Sequence, residues 1–419
     1  MIKDRKLKIA YLVYRGNPRC GGQGVYTRHL TKELSDMGHY VEVFSGPPYP
    51  ELDDRVKLNK VESLDLYREP DPFRRPKLNE FKSSTDLLEY LMMLTGVFPE
   101  PKTFSIRVRK VLKERINDFD LVHDNQCLGS GLFGIIKDGW PLLGTIHHPI
   151  TVDRELDLSH ATTFRKRLSV KRWYGFLKMQ KKVGPMLPRV VTVSESSKKD
   201  ISSQLNVPLE KMHVVPVGVD YKLFRPKEDI QKIKGRIMTT ASADVPMKGL
   251  IPLLEAIAKV RTEAEVSLVV IGKLKIESEI PKVLDRLNIK DIVNFVHGIS
   301  DEQIVDYYGE SEIAAVPSLY EGFSLPAIEA MACGVPLVTT SGGALPEVVG
   351  SNYETAVIVP PNDPSALAIA ILELLNDKEL RIKLGNAGRN RVMTKYTWRN
   401  TAEGTLEQYY ELLKQYDRL

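Results

Sequence analysis

Length and composition indicate a folded protein with more than one domain. The 419 residues exceed one ordinary core and, at roughly 150 residues per domain, predict two or three domains. Apolar residues make up 42% and charged residues 27%, as in globular proteins. The net charge of +5 favours anionic ligands or a lipid surface, but it is too small to indicate nucleic acid by itself.

The cysteines and the hydropathy pattern exclude further classes of protein. Cys20, Cys127 and Cys333 form no CxxC spacing, so neither a disulfide framework nor a zinc site is indicated. No run of 18 apolar residues occurs, so we expect no membrane span. The first apolar run, IAYLVY, is too short for the core of a signal peptide and is typical of a strand. We therefore expect a cytoplasmic protein.

The N-terminal half begins with a predicted βαβ unit. Residues 8–14 form a short apolar run that leads into the Gly-rich loop RGNPRCGGQG. Residues 25–37 have apolar positions at near-helical spacing, and the alternating run 40–46 follows. Similar apolar runs begin near residues 120, 141, 189 and 212. Because helical stretches separate these runs, the pattern predicts an α/β fold with an open parallel sheet.

The same alternation restarts near residue 218. The candidate strands are residues 237–242, 266–272, 292–298, 313–318, 336–343 and 355–361. We therefore predict a first domain over residues 1–217 and a second over 218–397, each with a parallel sheet. The last segment, 398–419, is predicted to be a helix that packs back on the first domain.

Two segments do not follow this alternation. Residues 47–105 are rich in proline with mixed charge, as in PPYPELDD and REPDPFRRP, which predicts a long loop or flap. Residues 164–182, FRKRLSVKRWYGFLKMQKK, are typical of a basic amphipathic helix. Such a helix either lies on an anionic membrane or packs its apolar side on the first sheet, and the sequence leaves both readings open.

The stretch EGFSLPAIEAMACGVP, residues 321–336, contains the signals of a short helix. Ser324 is a good N-terminal cap, and Pro326 suits a first-turn position. Gly334 stands where a left-handed cap ends a helix, and the proline after the next residue prevents its continuation. The pattern predicts a helix over about 325–333.

Two carboxylates flank the start of this helix. Glu321 precedes it, and Glu329 lies on its second turn. The free backbone N–H groups near Phe323, Ser324 and Leu325, with the positive end of the helix dipole, favour phosphate or sugar hydroxyls. Carboxylates accept hydrogen bonds from hydroxyls, so a nucleotide sugar fits this layout of ribose, diphosphate and sugar. The alternative is that both glutamates merely stabilise the helix.

The E-x7-E spacing of Glu321 and Glu329, followed by AMACGVPLVTT, resembles the signature of the family 4 retaining glycosyltransferases. Further matches in the family's order are GGQGVYTRHLTKELSDMGHYVEVFS, TIHHP, VTVSESSKKDI, PVGVDYKLFRP, VHG, GGALPEVV and VPPNDPSALAIAI. The resemblance covers nearly the whole chain. It implies the GT-B fold, with two facing Rossmann-like domains and a C-terminal crossover helix. It also implies transfer of a hexose from a UDP- or GDP-sugar to a hydroxyl of a glycan or glycolipid, with retention of anomeric configuration.

The resemblance implies roles for residues of the second domain. Glu329 would bind the ribose hydroxyls, Glu321 would contact the transferred sugar, and Lys248 would neutralise the phosphates. The backbone that would meet the diphosphate and the sugar belongs to Gly322, Phe323, Ser324 and Leu325. Catalysis would then rest on stabilising the charge that develops on the leaving diphosphate.

In the first domain, the resemblance assigns binding roles to the Gly-rich loop and to one histidine. Gly21 and Gly22 would let the backbone approach the diphosphate, and His147 in TIHHP corresponds to the family's active-site histidine. His148 stays open between a structural and a ligand role, and His123 is expected to be structural or to line the cleft. No metal or other cofactor is implied, because lysine and helix dipoles carry the phosphate charge.

One position departs from the family pattern. Many relatives have an Arg six residues before the lysine that corresponds to Lys248, and here Ser242 occupies that place. Lys273 or Lys275, after the next strand, is the hypothesised substitute. Without a substitute cation, donor binding is expected to be weaker.

Alternatives to the transferase remain open. The loop CGGQGVY lacks the GxGxxG spacing, which argues against an NAD site. A nucleotide-sugar epimerase of the same fold is one rival, and a non-catalytic nucleotide-sugar-binding protein is the other. The expected partners are a nucleoside diphosphate sugar and a glycan or lipid-linked acceptor, without nucleic acid. If residues 164–182 contact lipid, the expected location is the inner face of the membrane.

Overall fold

The computed structural model describes residues 5–17, 22–240, 245–274 and 278–418. This described part divides into two compact units. The first unit comprises Met1–Val193, Ser197–Val215 and Thr401–Leu419, and the second comprises Ser194–Ser196 and Pro216–Asn400. The residues discussed above that lie outside the described ranges are Cys20, Gly21, Ser242 and Lys275.

Within the described residues, the first unit is built on a seven-stranded parallel sheet. Its strands are β1 Lys8–Val13, β2 Tyr40–Ser45, β3 Lys57–Lys60, β4 Leu121–Asn125, β5 Leu142–Thr145, β6 Arg189–Thr192 and β7 Met212–Val214. Their order across the sheet is β3-β2-β1-β4-β5-β6-β7. Since β1, β2 and β4 are buried at nearly every position, their side chains are covered on both faces, as is usual for parallel strands.

Helices connect the strands of the first unit. They are α1 Gln23–Asp36, α2 Ser84–Leu94, α3 Glu100–Lys113, α4 Gly131–Lys137, α5 Thr151–His160, α6 Phe164–Trp173, α7 Leu177–Val183 and α8 Glu195–Leu205. The core between sheet and helices contains Leu12, Val108, Val122 and the fully buried Trp140. The strands predicted for this half of the sequence are confirmed.

The second unit has, in its described part, a six-stranded parallel sheet of order β10-β9-β8-β11-β12-β13. Its strands are β8 Arg236–Thr240, β9 Ser267–Ile271, β10 Val293–Val296, β11 Ile313–Val316, β12 Leu337–Thr340 and β13 Ala356–Val359. Its helices are α9 Leu250–Val260, α10 Ile280–Leu287, α11 Asp301–Glu310, α12 Leu325–Ala332, α13 Leu345–Val349, α14 Pro364–Asn376 and α15 Lys378–Lys395. The predicted strand runs of this half are likewise confirmed.

The prediction of a long loop over residues 47–105 is wrong. This segment contains the edge strand β3, the helix α2 and the start of α3. The prolines that suggested a loop are confined to the connections, while Ser83 caps α2 by accepting a hydrogen bond from Asp86 N at 3.3 Å. β3 has the sequence KLNK, which lacks the β-branched residues by which strands are usually recognised.

The basic segment 164–182, all of which the structure describes, forms two helices rather than the single helix predicted. A 3-10 turn, Tyr174–Phe176, separates α6 from α7. Phe176 and Leu177 are buried and pack with Phe98, whereas no residue of α6 is buried. The apolar residues of this segment are therefore divided. Phe176 and Leu177 lie in an internal cluster, whereas the apolar residues of α6 are not buried. Among the described residues, no helix combines the length and the apolarity needed to cross a membrane.

Both sheets have a point at which the strand order reverses. Consecutive strands run outward from β1 in one direction and from β4 in the other, and the same holds for β8 and β11. Connections leave such a pair of strands on opposite sides, which opens a crevice at their carboxyl ends where ligands of doubly wound folds bind. We therefore expect ligand-binding residues in the segments that follow β1, β4, β8 and β11.

The final helix, α16 Trp398–Lys414, contributes to the first unit from Thr401 onward. Its Tyr409 hydroxyl is hydrogen-bonded to Nδ1 of His123, whose Nε2 lies 2.7 Å from Thr145 Oγ1. Gln408 Oε1 accepts hydrogen bonds from Arg189 at 2.9 and 2.7 Å. Because burial lowers the pKa of His123 to about 3, the ring is neutral and needs both hydroxyl partners.

Replacing Tyr409 by Phe removes one of these partners and keeps the aromatic ring. A buried polar atom left without a partner costs about 1–3 kcal/mol, so we expect a lower midpoint of urea unfolding. The matched control is Tyr174→Phe, which removes a solvent-exposed hydrogen bond to Asp157. This control should change the stability by less than about 0.5 kcal/mol. Equal midpoints for the two variants would contradict a stabilising role for the contact between His123 and Tyr409.

Candidate functional site

Lys248 and Glu321 lie together at the reversal point of the second sheet. Lys248 ends a 3-10 turn, Pro246–Lys248, between β8 and α9, and Glu321 lies between β11 and α12. Lys248 Nζ donates to Glu321 Oε1 at 2.7 Å, and Ser318 Oγ donates to the same oxygen at 2.7 Å. Since both side-chain hydrogen bonds found among the described residues use Oε1, Oε2 of Glu321 is available to a ligand.

Glycines allow the close backbone packing that holds this pair. Gly249 follows Lys248 with φ of 68°, and a Cβ there would lie 1.9 Å from the carbonyl oxygen of Pro317. Gly343 has φ of 62°, and its Cβ would lie 2.3 Å from the carbonyl oxygen of Glu321. That same carbonyl accepts a hydrogen bond from Ala344 N at 2.8 Å. Any side chain at these two glycines would displace the Lys248–Glu321 pair.

The helix that follows Glu321 begins as predicted. Ser324 is its N-cap and accepts a hydrogen bond from Ala327 N at 3.4 Å, and Pro326 lies in the first turn. Gly334, after the last turn, has φ of 69°, which confirms the predicted left-handed end. The Ser324 hydroxyl is therefore occupied by the cap, and only its backbone N–H faces outward along the helix axis.

The first amides of α12 have the arrangement that favours an anion. In the described part of the chain, the backbone N–H groups of Phe323, Ser324 and Leu325 have no hydrogen-bond acceptor. The Phe323 ring packs near Tyr396, at 5.9 Å between ring centroids, so this residue offers only its backbone. Unpaired N–H groups and the positive end of the dipole attract phosphate oxygens.

Glu329 lies on the second turn of α12, as the spacing predicted. Burial raises the pKa of its carboxyl to about 7, and the nearby charge of Asp301 adds to this shift. No side-chain hydrogen bond to Glu329 occurs among the described residues. The residue is only partly buried, so its carboxyl is accessible and a ligand hydroxyl would supply a hydrogen-bond partner.

The remaining predicted residues of the second unit occupy the same edge of the sheet. Lys273 is exposed and follows β9, the strand adjacent to β8, so it lies at the carboxyl edge near the Lys248 segment. Gly322 lies between Glu321 and the first free amides. The structure thus brings Lys248, Glu321 and the start of α12 together, and it leaves Lys273 at the exposed margin.

In the first unit, His147 follows β5 and is held through its backbone by Gln126. His147 N donates to Gln126 Oε1 at 2.7 Å, and Gln126 Nε2 donates to the carbonyl oxygen of His148 at 2.9 Å. The Gln126 side chain therefore forms hydrogen bonds with the backbone on both sides of His147. Gln126 adopts φ of 54°, an uncommon conformation for this residue type, directly after β4.

The hydrogen bonds of Asn125 determine which ring nitrogen of His147 carries the proton. Thr27 Oγ1 donates to Gln23 O at 2.7 Å, so Thr27 accepts from Asn125 Nδ2, which lies 3.2 Å away. Asn125 Nδ2 also lies 3.3 Å from Gln23 O. Asn125 Oδ1 must therefore be the atom that faces His147 Nε2 at 2.9 Å. His147 consequently carries its proton on Nε2 and presents the Nδ1 lone pair as an acceptor.

Electrostatics keep this histidine neutral. Burial lowers the pKa of His147 to about 3, and the neighbouring His148 contributes in the same direction. The Tyr26 ring meets the imidazole edge to face, with 4.7 Å between centroids. His148 itself is 48% exposed in its side chain and contacts Asp153 at 3.1 Å. Of the two tandem histidines, only His147 has its imidazole ring held by buried partners.

The helix α1 connects this cluster to the Gly-rich loop. Gly22 is its N-cap, with φ of 71°, and no atom of the described residues beyond its chain neighbours lies within 4 Å of where a Cβ would stand. Gln23 and Thr27, which orient Asn125, belong to the first turns of the same helix. The position of Gly22 and the orientation of Asn125 thus depend on one element. Gly21 is outside the described residues.

Asn125 and Gln126 are the site residues that sequence reasoning missed. They belong to VHDNQC, in which the polar side chains from His123 to Gln126 are all buried. Consecutive polar residues at the end of a strand with both faces covered were the available signal, because burying them needs specific partners. His123 has both ring nitrogens bonded inside the unit, which fits the structural role considered for it.

Comparison with known proteins places this arrangement in a family. The model of Glycosyltransferase Family 4 matches residues 20–223, and the model of Glycosyl transferases group 1 matches residues 224–391. The chain belongs to the family 4 glycosyltransferases. It is 52% identical over 405 residues to the MMP alpha-(1->4)-mannosyltransferase of Mycolicibacterium hassiacum, covering 96% of this chain and 98% of the relative. It is also 25% identical over 431 residues to the D-inositol 3-phosphate glycosyltransferase of Kineococcus radiotolerans, covering 95% and 92%.

Solved structures show that the fold of this glycosyltransferase is GT-B. Sucrose-phosphate synthase from Thermosynechococcus elongatus aligns over 98% of this chain and 100% of its own, with a TM-score of 0.73 and 23% identity. Anabaena HepE in complex with UDP-glucose aligns over 99% and 100%, with a TM-score of 0.66 and 15% identity. At these identities the structures establish the fold, and the predicted α/β GT-B class is confirmed.

The proton position on His147 gives a test of the first-unit cluster. The folded-state pKa of about 3 lies below the ordinary value of 6.5, so the folded chain binds fewer protons than the unfolded chain between these pH values. Stability from this group is present above pH 6.5 and is lost as the pH falls toward 3. Nitrogen-15 NMR should show a neutral Nε2–H tautomer for His147 from pH 8 down to pH 5.

Substituting the partner should change this spectrum. Asn125→Asp places a negative charge beside Nε2, which favours the imidazolium and raises the pKa of His147. The control is Asn206→Asp, the same change at an exposed position, which should leave the signals of His147 unmoved. A wild-type ring that titrates near pH 6.5, or an Nδ1–H tautomer, would contradict the assigned hydrogen-bond directions.

Proposed function

We propose that this glycosyltransferase transfers mannose from a nucleoside diphosphate sugar, GDP- or UDP-linked, to a hydroxyl of a glycan. The observation that carries the proposal is the Lys248–Glu321 pair beside the free amides of α12, at the reversal point of the second sheet. A cation and N–H donors suit a diphosphate, while a carboxylate oxygen beside them suits a sugar hydroxyl. The similarity to an alpha-(1->4)-mannosyltransferase over nearly the whole chain supports mannose as the sugar.

The donor would be bound in three parts. Its diphosphate meets Lys248 and the amides of Phe323, Ser324 and Leu325. Its ribose hydroxyls bond to the carboxyl of Glu329, which has no protein partner among the described residues. The sugar bonds to Oε2 of Glu321. Lys273, at the exposed margin, is proposed to supply the phosphate cation that Ser242 does not provide.

Transfer is proposed to proceed with retention of configuration and without a metal ion. The leaving diphosphate gains negative charge, and Lys248 with the helix amides stabilises that charge in place. Lys248 keeps its own position because Glu321 and the Gly249 turn hold it. In the first unit, His147 offers Nδ1 to a sugar hydroxyl, and the family resemblance assigns Gly21 and Gly22 to the backbone that approaches the diphosphate. Among the described residues no group of acidic, His or Cys side chains is arranged to hold a metal.

Thermal unfolding with UDP, GDP and ADP tests the donor site directly. A nucleotide at about 100 times its dissociation constant stabilises the fold by about 2.7 kcal/mol, which gives a visible shift. We expect one nucleotide to raise the melting temperature of the wild type but not of Glu329→Ala. The control Glu379→Ala removes an exposed carboxyl of the same unit and should keep the shift. A shift that survives Glu329→Ala would remove the ribose role.

Turnover separates the transferase from its rivals. GDP-mannose or UDP-mannose is incubated with a mannoside acceptor, with and without EDTA, and the first anomer formed is read by proton NMR. Transfer with retention, unchanged by EDTA, supports the proposal. An isomerised donor without acceptor would indicate an epimerase. Nucleotide binding without transfer to any acceptor tested would favour the binding protein, for which Ser242 is the argument.

The exposed helix α6 supports a peripheral contact with anionic lipid, and through it a lipid-linked acceptor. Residues 164–182 contain eight Lys and Arg and no acidic residue. Phe164 is 80% exposed and Leu168 is 39% exposed on the same helix. Apolar side chains beside cations are the composition of interfacial helices.

Flotation with liposomes tests this contact. We expect the protein to float with anionic vesicles at low salt and to be released as ionic strength rises, because screening weakens each charge contact. Phe164→Ala should reduce the bound fraction, while the exposed Phe73→Ala, outside the basic segment, should not. Absence of binding at low salt would leave α6 as an ordinary surface helix.

A further inference from the structure

The carboxyl of Glu100 in the first unit is buried and forms no hydrogen bond with the described residues. Glu100 is the first residue of α3 and is 8% exposed. Its Oε2 is inaccessible and has no hydrogen-bond partner in the part of the chain that the structure describes. Burial raises the pKa of this carboxyl to about 8, against the opposing effect of Arg15. Such a group is costly in a folded protein and calls for a functional explanation.

Neighbouring carboxyls of the same region are paired, which makes Glu100 different from them. Arg107 donates hydrogen bonds to both Asp86 and Glu89, and the former bond is 2.6 Å long. Arg15 forms an ion pair with Glu100, its Nε lying 3.6 Å from Oε2, but among the described residues no hydrogen bond joins them. Within the described part of the chain, two acids are therefore paired directly, and the third keeps unused hydrogen-bonding capacity.

Glu100 faces a narrow recess that admits a single polar group. Tyr14 and Ser63 line it together with Glu89, Glu100 and Arg107. Its cavity volume is ≈ 10 Å³, which is room for about one water molecule or one hydroxyl. The recess is too small for a sugar ring, so a ring would remain outside and insert one hydroxyl.

Tyr67 lies close enough to feel the charge of Glu100 and belongs to a group of aromatic side chains. Its hydroxyl is buried without a hydrogen-bond partner among the described residues, and burial and the charge of Glu100 raise its pKa. Its ring lies 5.3 Å from Phe73, 5.3 Å from Phe98 and 5.4 Å from Trp173. Phe73 is 59% exposed. Unpaired polar atoms beside partly exposed aromatic rings match a pyranose, which has hydroxyls on its edge and C–H groups on its faces.

The recess lies at the functional edge of the first sheet but away from His147. Tyr14 and Arg15 directly follow β1, whereas His147 follows β5. One strand, β4, lies between β1 and β5, so their carboxyl ends are separated by about 10 Å. This separation is larger than one sugar ring, so the two positions would contact different residues of an oligosaccharide.

We propose that Glu100, Tyr67 and the aromatic side chains of Phe73 and Trp173 form a distal subsite for an acceptor glycan. The subsite binds a sugar residue other than the one that receives mannose, with a hydroxyl in the recess and a ring face against the aromatics. The inference rests on the proposed transferase function. It adds that the enzyme prefers an oligosaccharide acceptor to a monosaccharide.

A series of acceptors of increasing length tests the subsite. Methyl α-mannoside and α-(1→4)-linked manno-oligosaccharides of two to four residues are compared by kcat/KM. In the wild type we expect the longer acceptors to gain about tenfold, the value of about one good hydrogen bond with its packing. Glu100→Leu should abolish this gain through KM while leaving kcat/KM for methyl α-mannoside unchanged. Glu100→Gln, which retains a polar group, should restore most of it.

Control variants distinguish the subsite from a general defect. Phe73→Ala should lose part of the gain, and the matched Phe164→Ala should keep it. Nucleotide-induced thermal shifts should be equal in the wild type and in Glu100→Leu, which also shows that the variant is folded. If the gain with length is the same in Glu100→Leu and in the wild type, or if the wild type shows none, the subsite is refuted. Absence of transfer to any of the mannosides by a wild type that shows no nucleotide shift would instead refute the proposed function.

Discussion

The parallel arrangement of strands is the constraint on which both units depend. Parallel strands need a crossover connection between each consecutive pair, so every strand delivers its carboxyl end to the same edge of the sheet. Where the strand order reverses, between β1 and β4 and between β8 and β11, the connections diverge and leave room at that edge. The residues assigned to the site follow from this geometry. Lys248 lies after β8, Glu321 after β11, and Asn125 at the end of β4.

Buried polar groups at these edges are tolerated because partners orient them. In the first unit, Asn125 and Gln126 satisfy the side chain and backbone of His147, and two hydroxyls satisfy His123. Each contact uses up a donor or an acceptor, so the direction of the next hydrogen bond is determined. The result is a neutral imidazole whose free nitrogen accepts rather than donates. Glu100 is the contrast, because its Oε2 accepts no hydrogen bond from any described residue.

The local elements were predictable where short-range chemistry decides them. The helix after Glu321 begins at its serine cap and ends before Gly334 because both signals act within a few residues. The strands were recognisable because covered parallel strands are continuously apolar. The prediction for residues 47–105 is wrong because β3 has no β-branched residue, and because the prolines of PPYPELDD and REPDPFRRP lie in the connections while Pro101 occupies the first turn of α3, where proline is tolerated. The single basic helix expected at 164–182 is divided because Phe176 and Leu177 are drawn into a cluster with Phe98.

By itself, the sequence determined the α/β class, the glycosyltransferase family and the two glutamates around a helix start, because periodicity, caps and motif spacing are local properties of the chain. The pairing of Lys248 with Glu321, 73 positions apart, was decided only by the tertiary structure. The tertiary structure also decided the hydrogen bonds of Gln126 to the backbone around His147, and the ring nitrogen of His147 on which Asn125 places the proton. These contacts join residues from different strands, and hydrogen-bond direction depends on atoms that no sequence pattern orders. The unpaired carboxyl of Glu100 likewise became visible only once burial and the absence of a hydrogen-bonding partner among the described residues were known.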